Sequence, residues 1–371
     1  MNCVFMNQDA FSSQWTGIID TFSVRVLQLF FYSKFFPIFS FLFGLGITMQ
    51  AMHFIQKNNL KTSFFVRRMF ILFVFGILHI LLLWSGDVIH LYAILGLLTL
   101  VLLKRSNRLI ITLALLFLLF PFYDQVAGFI FEVVQYSPEG YLQEYSSEKI
   151  ITTIRDGNYA DGIKFRMKEY LANIPILFVF LAPVALSMFL LGLYFGKNQL
   201  VYQLDRVVNR IKKWAILIAV LTNLYRVIFL FVLPHLDIYS NTWLRPLFFK
   251  GMFLSDIAMG LFYLWAIAWI WHNTSWKRLL HPLKYVGRMA LTNYIMHSFI
   301  GLILFSSVGF SMYETLSPAQ TLVTALAVFG FQVIFSKVWL TYFKFGPLEW
   351  IWRCFSYAKV LPIKKHLNQT T

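Results

Sequence analysis

In the stretch HILLLWSGDVIH, the carboxylate of Asp87 stands three residues before His90 and eight after His79. Residues three apart share a helix face, so Asp87 and His90 can meet directly. His79 lies near the end of the apolar run that precedes Ser85, Gly86 and Asp87, and it faces the same turn from the other side. An aspartate bonded to an imidazole selects its tautomer and supports the imidazolium, which makes His79, Asp87 and His90 candidate catalytic residues of a general-base arrangement. The plainer reading is that Gly86 ends one helix and Asp87 caps the next. Either way the three residues belong to a helix–turn–helix corner.

Further ionisable groups interrupt apolar runs at Asp124, Arg226, Asp256 and Lys337. A charge at that depth costs about 2.5–3.5 kcal/mol even on the mildest scale, so each needs a partner or a wet cavity. Asp124, Arg226 and Asp256 trace to the level of His79, Asp87 and His90, which makes them candidate substrate-binding residues around an outward-facing polar cavity. The alternative is that they reach interfacial water from span ends. Arg67 and Arg68 sit at the opposite end of their run, suited to lipid phosphate or to an anionic ligand, and Arg68 joins the binding candidates. Cys3 and Cys354 are far apart and no His or Cys cluster has ligand spacing, so no metal is expected. Walker, GxGxxG, HExxH and GxSxG patterns are absent, which leaves ATP-driven, dinucleotide, zincin and hydrolase chemistry without support.

The elements that must position these residues are membrane helices. Of 371 residues, 59% are hydrophobic and only 13% charged, against roughly 25% charged in a soluble domain. Apolar windows fall at 35–54, 69–84, 88–103, 109–131, 174–196, 214–233, 252–272, 289–308 and 320–343. They predict an all-α, polytopic transmembrane helix bundle of about nine spans, forming one membrane domain over 1–371. No basic n-region and cleavage site precede the first window, so no signal peptide is expected. Ser40, Gly44 and Thr48 make a small-residue stripe suited to close helix approach.

The net charge of +16 is concentrated in alternate loops. Five of them carry 21 Lys and Arg against two acids, Asp205 and Glu349. By the positive-inside rule these are cytoplasmic, with the N-terminus outside and the C-terminus inside. Short basic clusters between spans are a topology signal, and no nucleic-acid partner is expected; the lipid bilayer is. The polar insert at 132–173 then lies outside. It reads as amphipathic surface helices around Glu148–Arg155 and Ile163–Leu171, with a lid over an outward cavity as the alternative.

Three segments carry a resemblance: KFFPIFSFLFGLGI at 34–47, GILHILLLWSGDVIHLYAILGL at 76–97, and VGRMALTNYIMHS at 286–298 with FKFGPLEWIWR at 343–353. They resemble the YeiB-like family of bacterial multi-pass membrane proteins, which places the chain in the bacterial cytoplasmic membrane. That family is similar, at a distance, to transmembrane acyltransferases that pass acyl groups from a cytoplasmic carrier to acceptors across the membrane. The resemblance implies an acyl-CoA-type donor, no bound cofactor, and a cell-envelope acceptor. Secondary transport and a purely structural role are the alternatives. It also implies a tenth, N-terminal span ahead of MNCVFMN. The histidine loop of the glucosaminide-type enzymes corresponds to FSSQWTGIID at 11–20, which has no His, so that residue's role does not carry over. Arg288, Asn293 and His297 in the GRMALTNY region are binding candidates, with helix packing as the alternative. Glu349 and Arg353, four apart, are expected to pair on an interfacial helix.

Overall fold

The structure, a computed structural model, describes residues 11, 13–57, 61–120, 122–241 and 244–365; the side chains of Asp124 and Pro246 lie outside that description. The described chain is helical apart from its turns and one isolated bridge between Phe343 and Lys364. A 39-residue apolar stretch opens it, divided into α1 (Ile18–Phe30) and α2 (Phe35–Gln56). There follow α3 (Thr62–Leu82), α4 (Ile89–Leu102), α5 (Asn107–Leu119) and α6 (Tyr123–Val133). The polar insert forms α7 (Ser147–Arg155) and α8 (Tyr159–Ala172), capped by the side chains of Ser146 and Asn158. Next come α9 (Ile174–Lys197), α10 (Leu204–Arg210), α11 (Lys212–Phe231) and α12 (Arg245–Asn273). The chain ends with α13 (Lys277–Leu280), α14 (Leu283–Arg288), α15 (Ala290–Phe305), α16 (Pro318–Tyr342) and α17 (Pro347–Tyr357).

All nine apolar windows fall on helices, though not every window on a helix of full spanning length. Among the described residues six helices are long and apolar enough to cross a membrane, and a seventh if the α13–α14 segment and α15, bent by 81°, count as one. With 14 and 13 residues, α4 and α5 rise only about 20 Å, short of the roughly 30 Å hydrocarbon core. The window at 109–131 is two helices, α5 and α6.

Burial runs opposite to that of a water-soluble bundle. On α16, Val323, Leu326, Phe331, Ile334 and Val338 are each more than half exposed, while Gln332 and Ser336 are buried. Such a helix is at home only where lipid meets its outer face and polar side chains bond to neighbouring helices. At the core, α2 crosses α9 with backbones almost touching. A Cβ on Gly44 would lie 2.5 Å from the Phe189 carbonyl oxygen, and one on Gly192 would lie 2.4 Å from that of Phe41. Gly44 meets Phe189 and Thr48 lies against Gly196 at this crossing, while Ser40 bonds to the Tyr92 hydroxyl of α4, so the small-residue stripe does close packing. Phe43, Tyr92 and Phe189 pack around it. In α9 a π turn at Leu177–Leu181 lies just before Pro183, whose missing amide leaves a carbonyl of the preceding turn without its donor.

Candidate functional site

The α3–α4 corner brings His79, Asp87 and His90 together. Asp87 Oδ1 lies 2.9 Å from His79 Nδ1, and Oδ2 lies 3.0 Å from His90 Nδ1. Oδ2 also accepts the His90 backbone N–H at 3.1 Å, and the Tyr294 hydroxyl donates to Oδ1 at 3.3 Å. His79, Asp87 and His90 are all buried. The helices can approach this closely because residue 76 is glycine: a Cβ there would fall 2.4 Å from the His90 amide nitrogen and 2.8 Å from Asp87 Oδ2.

Two details of the turn differ from the sequence expectation. No glycine among the described residues has a positive φ, so Gly86 is not a left-handed helix end; its missing side chain makes room for the Trp84 indole, 2.5 Å from where a Cβ would stand. The N-cap position of α4 belongs to Val88. Asp87 still supplies an acceptor to that helix end through the His90 amide, while its main load is the two imidazoles.

Burial pushes the Asp87 carboxyl up, but the hydrogen bonds from His79 and His90 outweigh it and hold the group below its ordinary range. An ionised Asp87 accepts from both Nδ1 atoms, which leaves each neutral ring with its lone pair at Nε2. At His90 that lone pair meets the Tyr170 hydroxyl at 3.0 Å. At His79, Nε2 is buried and has no hydrogen-bond partner. An imidazole held by a carboxylate at one nitrogen and open at the other can take up a proton in place.

The insert closes this corner. The Ser85 hydroxyl donates to Glu169 Oε2 at 2.5 Å, the Tyr159 hydroxyl to the Leu82 carbonyl at 2.5 Å, and Arg166 Nε to the Leu81 carbonyl at 3.1 Å. Helix α8 therefore lies over the corner as a lid does, with Tyr170 reaching His90. Burial pushes Glu169 above the ordinary carboxylate range, opposed by the bond from Ser85. A raised folded-state pKa means that the contribution is complete below the ordinary value of 4.5 and is lost as pH rises through the raised one. Cleavage of the α7–α8 loop by an added protease is thus expected to quicken as pH climbs out of that range. Glu169→Gln, which keeps the bond from Ser85 without a charge, should flatten the dependence; a profile unchanged by this substitution would remove Glu169 as the latch.

The other candidates form separate groups. Arg226 and Asp256 are buried with Lys34, which lies 2.9 Å from Asp256, as Arg226 Nε lies 3.0 Å from it. Both cations also donate to carbonyls at the end of α1: Lys34 to Gln28 and Tyr32, Arg226 to Gln28 and Leu29. The break between α1 and α2 frees these carbonyls inside the bundle, where water cannot satisfy them, and the cations cap them. The outward-facing polar cavity is corrected accordingly: these residues fill a helix break. Among the described residues no hydrogen bond or ion pair links them to Asp87. Asp124's side chain is outside the description.

Arg288 is exposed and donates to the Lys344 carbonyl at 3.0 Å. Asn293 is buried and its side-chain amide donates to Ser336 Oγ at 2.9 Å, while its backbone carbonyl accepts from Gln332 at 2.8 Å. His297 is exposed. Glu349 does not pair with Arg353. Its carboxylate accepts from the Thr292 amide at 3.0 Å and the Thr292 hydroxyl at 2.5 Å, filling the bend ahead of α15. Arg353 lies over the Phe345 ring instead. Arg68 stacks on Trp352 at 3.5 Å.

Sequence reasoning missed Tyr170, Glu169, Tyr294 and Lys34. Their partners are distant in the chain, and only the charge of Lys34 inside an apolar stretch offered a signal.

Comparison with known proteins gives one family match and several relatives. Residues 195–359 match the family described as "Protein of unknown function (DUF418)". The chain is 28% identical over 367 residues to "Uncharacterized protein YxaH" of Bacillus subtilis (strain 168), covering 96% of this chain and 87% of that protein. It is 29% identical over 354 residues to "Uncharacterized 39.9 kDa protein in amylase 3'region" of Bacillus acidopullulyticus, covering 93% and 86%. It is 37% identical over 83 residues to "Uncharacterized protein YeiB" of Escherichia coli (strain K12), covering 22% and 21%. No solved structure matches. The chain is all-helical in its described residues, with six or seven candidate membrane-spanning helices, and is similar over residues 195–359 to that family of unknown function.

Proposed function

We propose that this protein is a membrane-embedded acyltransferase acting on a cell-envelope molecule, with His79 as general base and Asp87 as the group that orients it. The observation that carries the reading is the buried, unpartnered Nε2 of His79 on a ring whose Nδ1 is held by Asp87. In the reaction, an acceptor hydroxyl gives its proton to Nε2 as its oxygen attacks the carbonyl carbon of an acyl thioester. The C–O bond forms, the C–S bond breaks, and the proton passes to the departing thiolate. His90 and Tyr170 hold the far side of the Asp87 carboxylate, and the α8 lid keeps bulk water from the thioester. The lid must open for the acceptor to enter.

The donor is an acyl-CoA-type carrier. Arg68 is eleven residues before His79 on α3, about 16 Å along the helix. A donor bound through its phosphates at the Arg68 end would have to span that distance.

Lipid and glycan profiling of a deletion strain tests the reading. One acylated envelope species should disappear, return with the wild-type gene, and stay absent with the Asp87→Asn gene. An unchanged profile would end the acyltransferase reading.

The reaction also requires the orientation read from charge, in the bacterial cytoplasmic membrane with the C-terminus inside. Reporter fusions after Lys104 and Lys213 should respond as cytoplasmic and one within 138–160 as external. The reverse pattern would put the α8 lid on the donor side.

A further inference from the structure

The segments GRMALTNY and GPLEW meet in the fold, and a residue of the first reaches the Asp87 corner. Helix α15 starts at a bend of 81°. There the Thr292 amide and hydroxyl both donate to the Glu349 carboxylate, at 3.0 and 2.5 Å, and the Leu348 amide donates to Thr292 Oγ1 at 3.1 Å. The first amides of a helix have no partner within it, and the carboxylate of α17 takes one of them. Residue 346 must be small at this junction, because a Cβ there would fall 2.8 Å from Thr292 Oγ1. The start of α17 therefore fixes the start of α15.

Tyr294 stands two residues beyond Thr292. Its ring centroid lies 5.1 Å from that of His79, and its hydroxyl donates at 3.3 Å to Asp87 Oδ1, the oxygen that holds His79 Nδ1 at 2.9 Å. The Val88 amide faces the Tyr294 oxygen, which leaves the hydroxyl proton to point at the carboxylate. One side chain thus touches both members of the pair, as a wall against the imidazole and as a second donor to its carboxylate. We propose that Tyr294 is a positioning residue for His79, which rests on the general-base reading of that histidine, and that Glu349 acts on the site through it. A ring packed on one side and a carboxylate held by two donors keep His79 Nε2 in one direction while it takes up a proton. Without the tyrosine hydroxyl, Asp87 Oδ1 would serve His79 alone and their hydrogen bond would shorten. If Glu349 released Thr292, the bend would relax and the hydroxyl would withdraw, with the same result.

The test uses the full chain in detergent micelles, its histidines labelled for NMR. The two Nδ1 protons held by Asp87 are assigned by their loss in His79→Gln and in His90→Gln. Tyr294→Phe keeps the ring and removes the hydroxyl. It should move the His79 proton downfield and, in place of the wild-type gene, cut the acylated envelope species several-fold. Glu349→Gln leaves one acceptor oxygen for the two Thr292 donors. It should move the same proton in the wild-type background and add nothing in the Tyr294→Phe background, because changes acting through one contact are not additive. Thr292→Ser keeps both donors and should leave the proton in place. An unmoved proton in Tyr294→Phe would overturn the positioning role, as would a moved proton with undiminished acylated species. Additive shifts would remove Glu349 from it. In the unsubstituted chain a cross-peak between the His79 and Tyr294 rings is expected, and its absence would overturn the contact however the variants fold. A deletion strain that lacks no acylated species would instead end the acyltransferase reading, with the proton shifts still standing.

Discussion

Asp87→Asn is expected to lower formation of the acylated product by about 10²–10⁴-fold, the range for loss of a positioned acid–base group, while the protein still folds. The carboxylate serves His79 and Tyr294 through Oδ1, and the ring and amide of His90 through Oδ2. An asparagine has one oxygen to give. If that oxygen stays with the His90 amide and ring, the new NH2 faces His79 Nδ1 and drives its proton to Nε2. The lone pair needed for proton uptake is then gone. Asp87→Ala removes the acceptor from every one of these donors. Its expected cost in thermal unfolding is about 3–5 kcal/mol, the scale for breaking a buried charged network, well above the roughly 1 kcal/mol for a lost cap. The depressed pKa of Asp87 adds a pH signature. Its stabilisation is present above the ordinary aspartate range and is lost as pH falls through the lowered value. A well-expressed, fully active Asn variant would refute the role given to this carboxylate.

At the α2–α9 crossing, Gly44→Ala and Gly192→Ala are each expected to destabilise by at least about 3 kcal/mol, the upper end of the overpacking range. The atoms a new methyl would meet are backbone: the Phe189 carbonyl oxygen at 2.5 Å and Cα at 2.6 Å for Gly44, the Phe41 carbonyl oxygen at 2.4 Å and Leu45 nitrogen at 2.6 Å for Gly192. Neither helix can yield without separating along its length, which would also unseat Tyr92 and Phe189 from the core between α2, α4 and α9. Gly46 and Gly330 provide the control, because a Cβ on either meets nothing within 4 Å. Alanine there should be neutral, or stabilising by about 0.5–1 kcal/mol through helix propensity. Detergent thermal unfolding of the four variants measures the contrast. A Gly44→Ala protein as stable as the Gly46→Ala protein would mean that the helices do not touch as described.

What was readable beforehand was local. Long apolar runs predicted a helix at every window, the i,i+4 spacing of Ser40, Gly44 and Thr48 predicted a close crossing, and the i,i+3 spacing of Asp87 and His90 predicted their contact. Helix lengths were less legible, since hydropathy carries on across a break such as the one between α5 and α6. The bond of Glu349 to Thr292, and not to Arg353, depends on a bend whose partner is 57 residues away.

The sequence by itself determined that this chain is a bundle of membrane helices with an Asp–His pair at one corner, because hydropathy and short-range spacing are properties of neighbouring residues. Only the tertiary structure decided that α8 roofs that corner through Glu169 and Tyr170, that Tyr294 joins it, and that Lys34 and Arg226 close a helix end. In a membrane both lipid and core favour apolar side chains, so hydrophobic periodicity does not say which face of a helix turns inward or which distant helix it will meet.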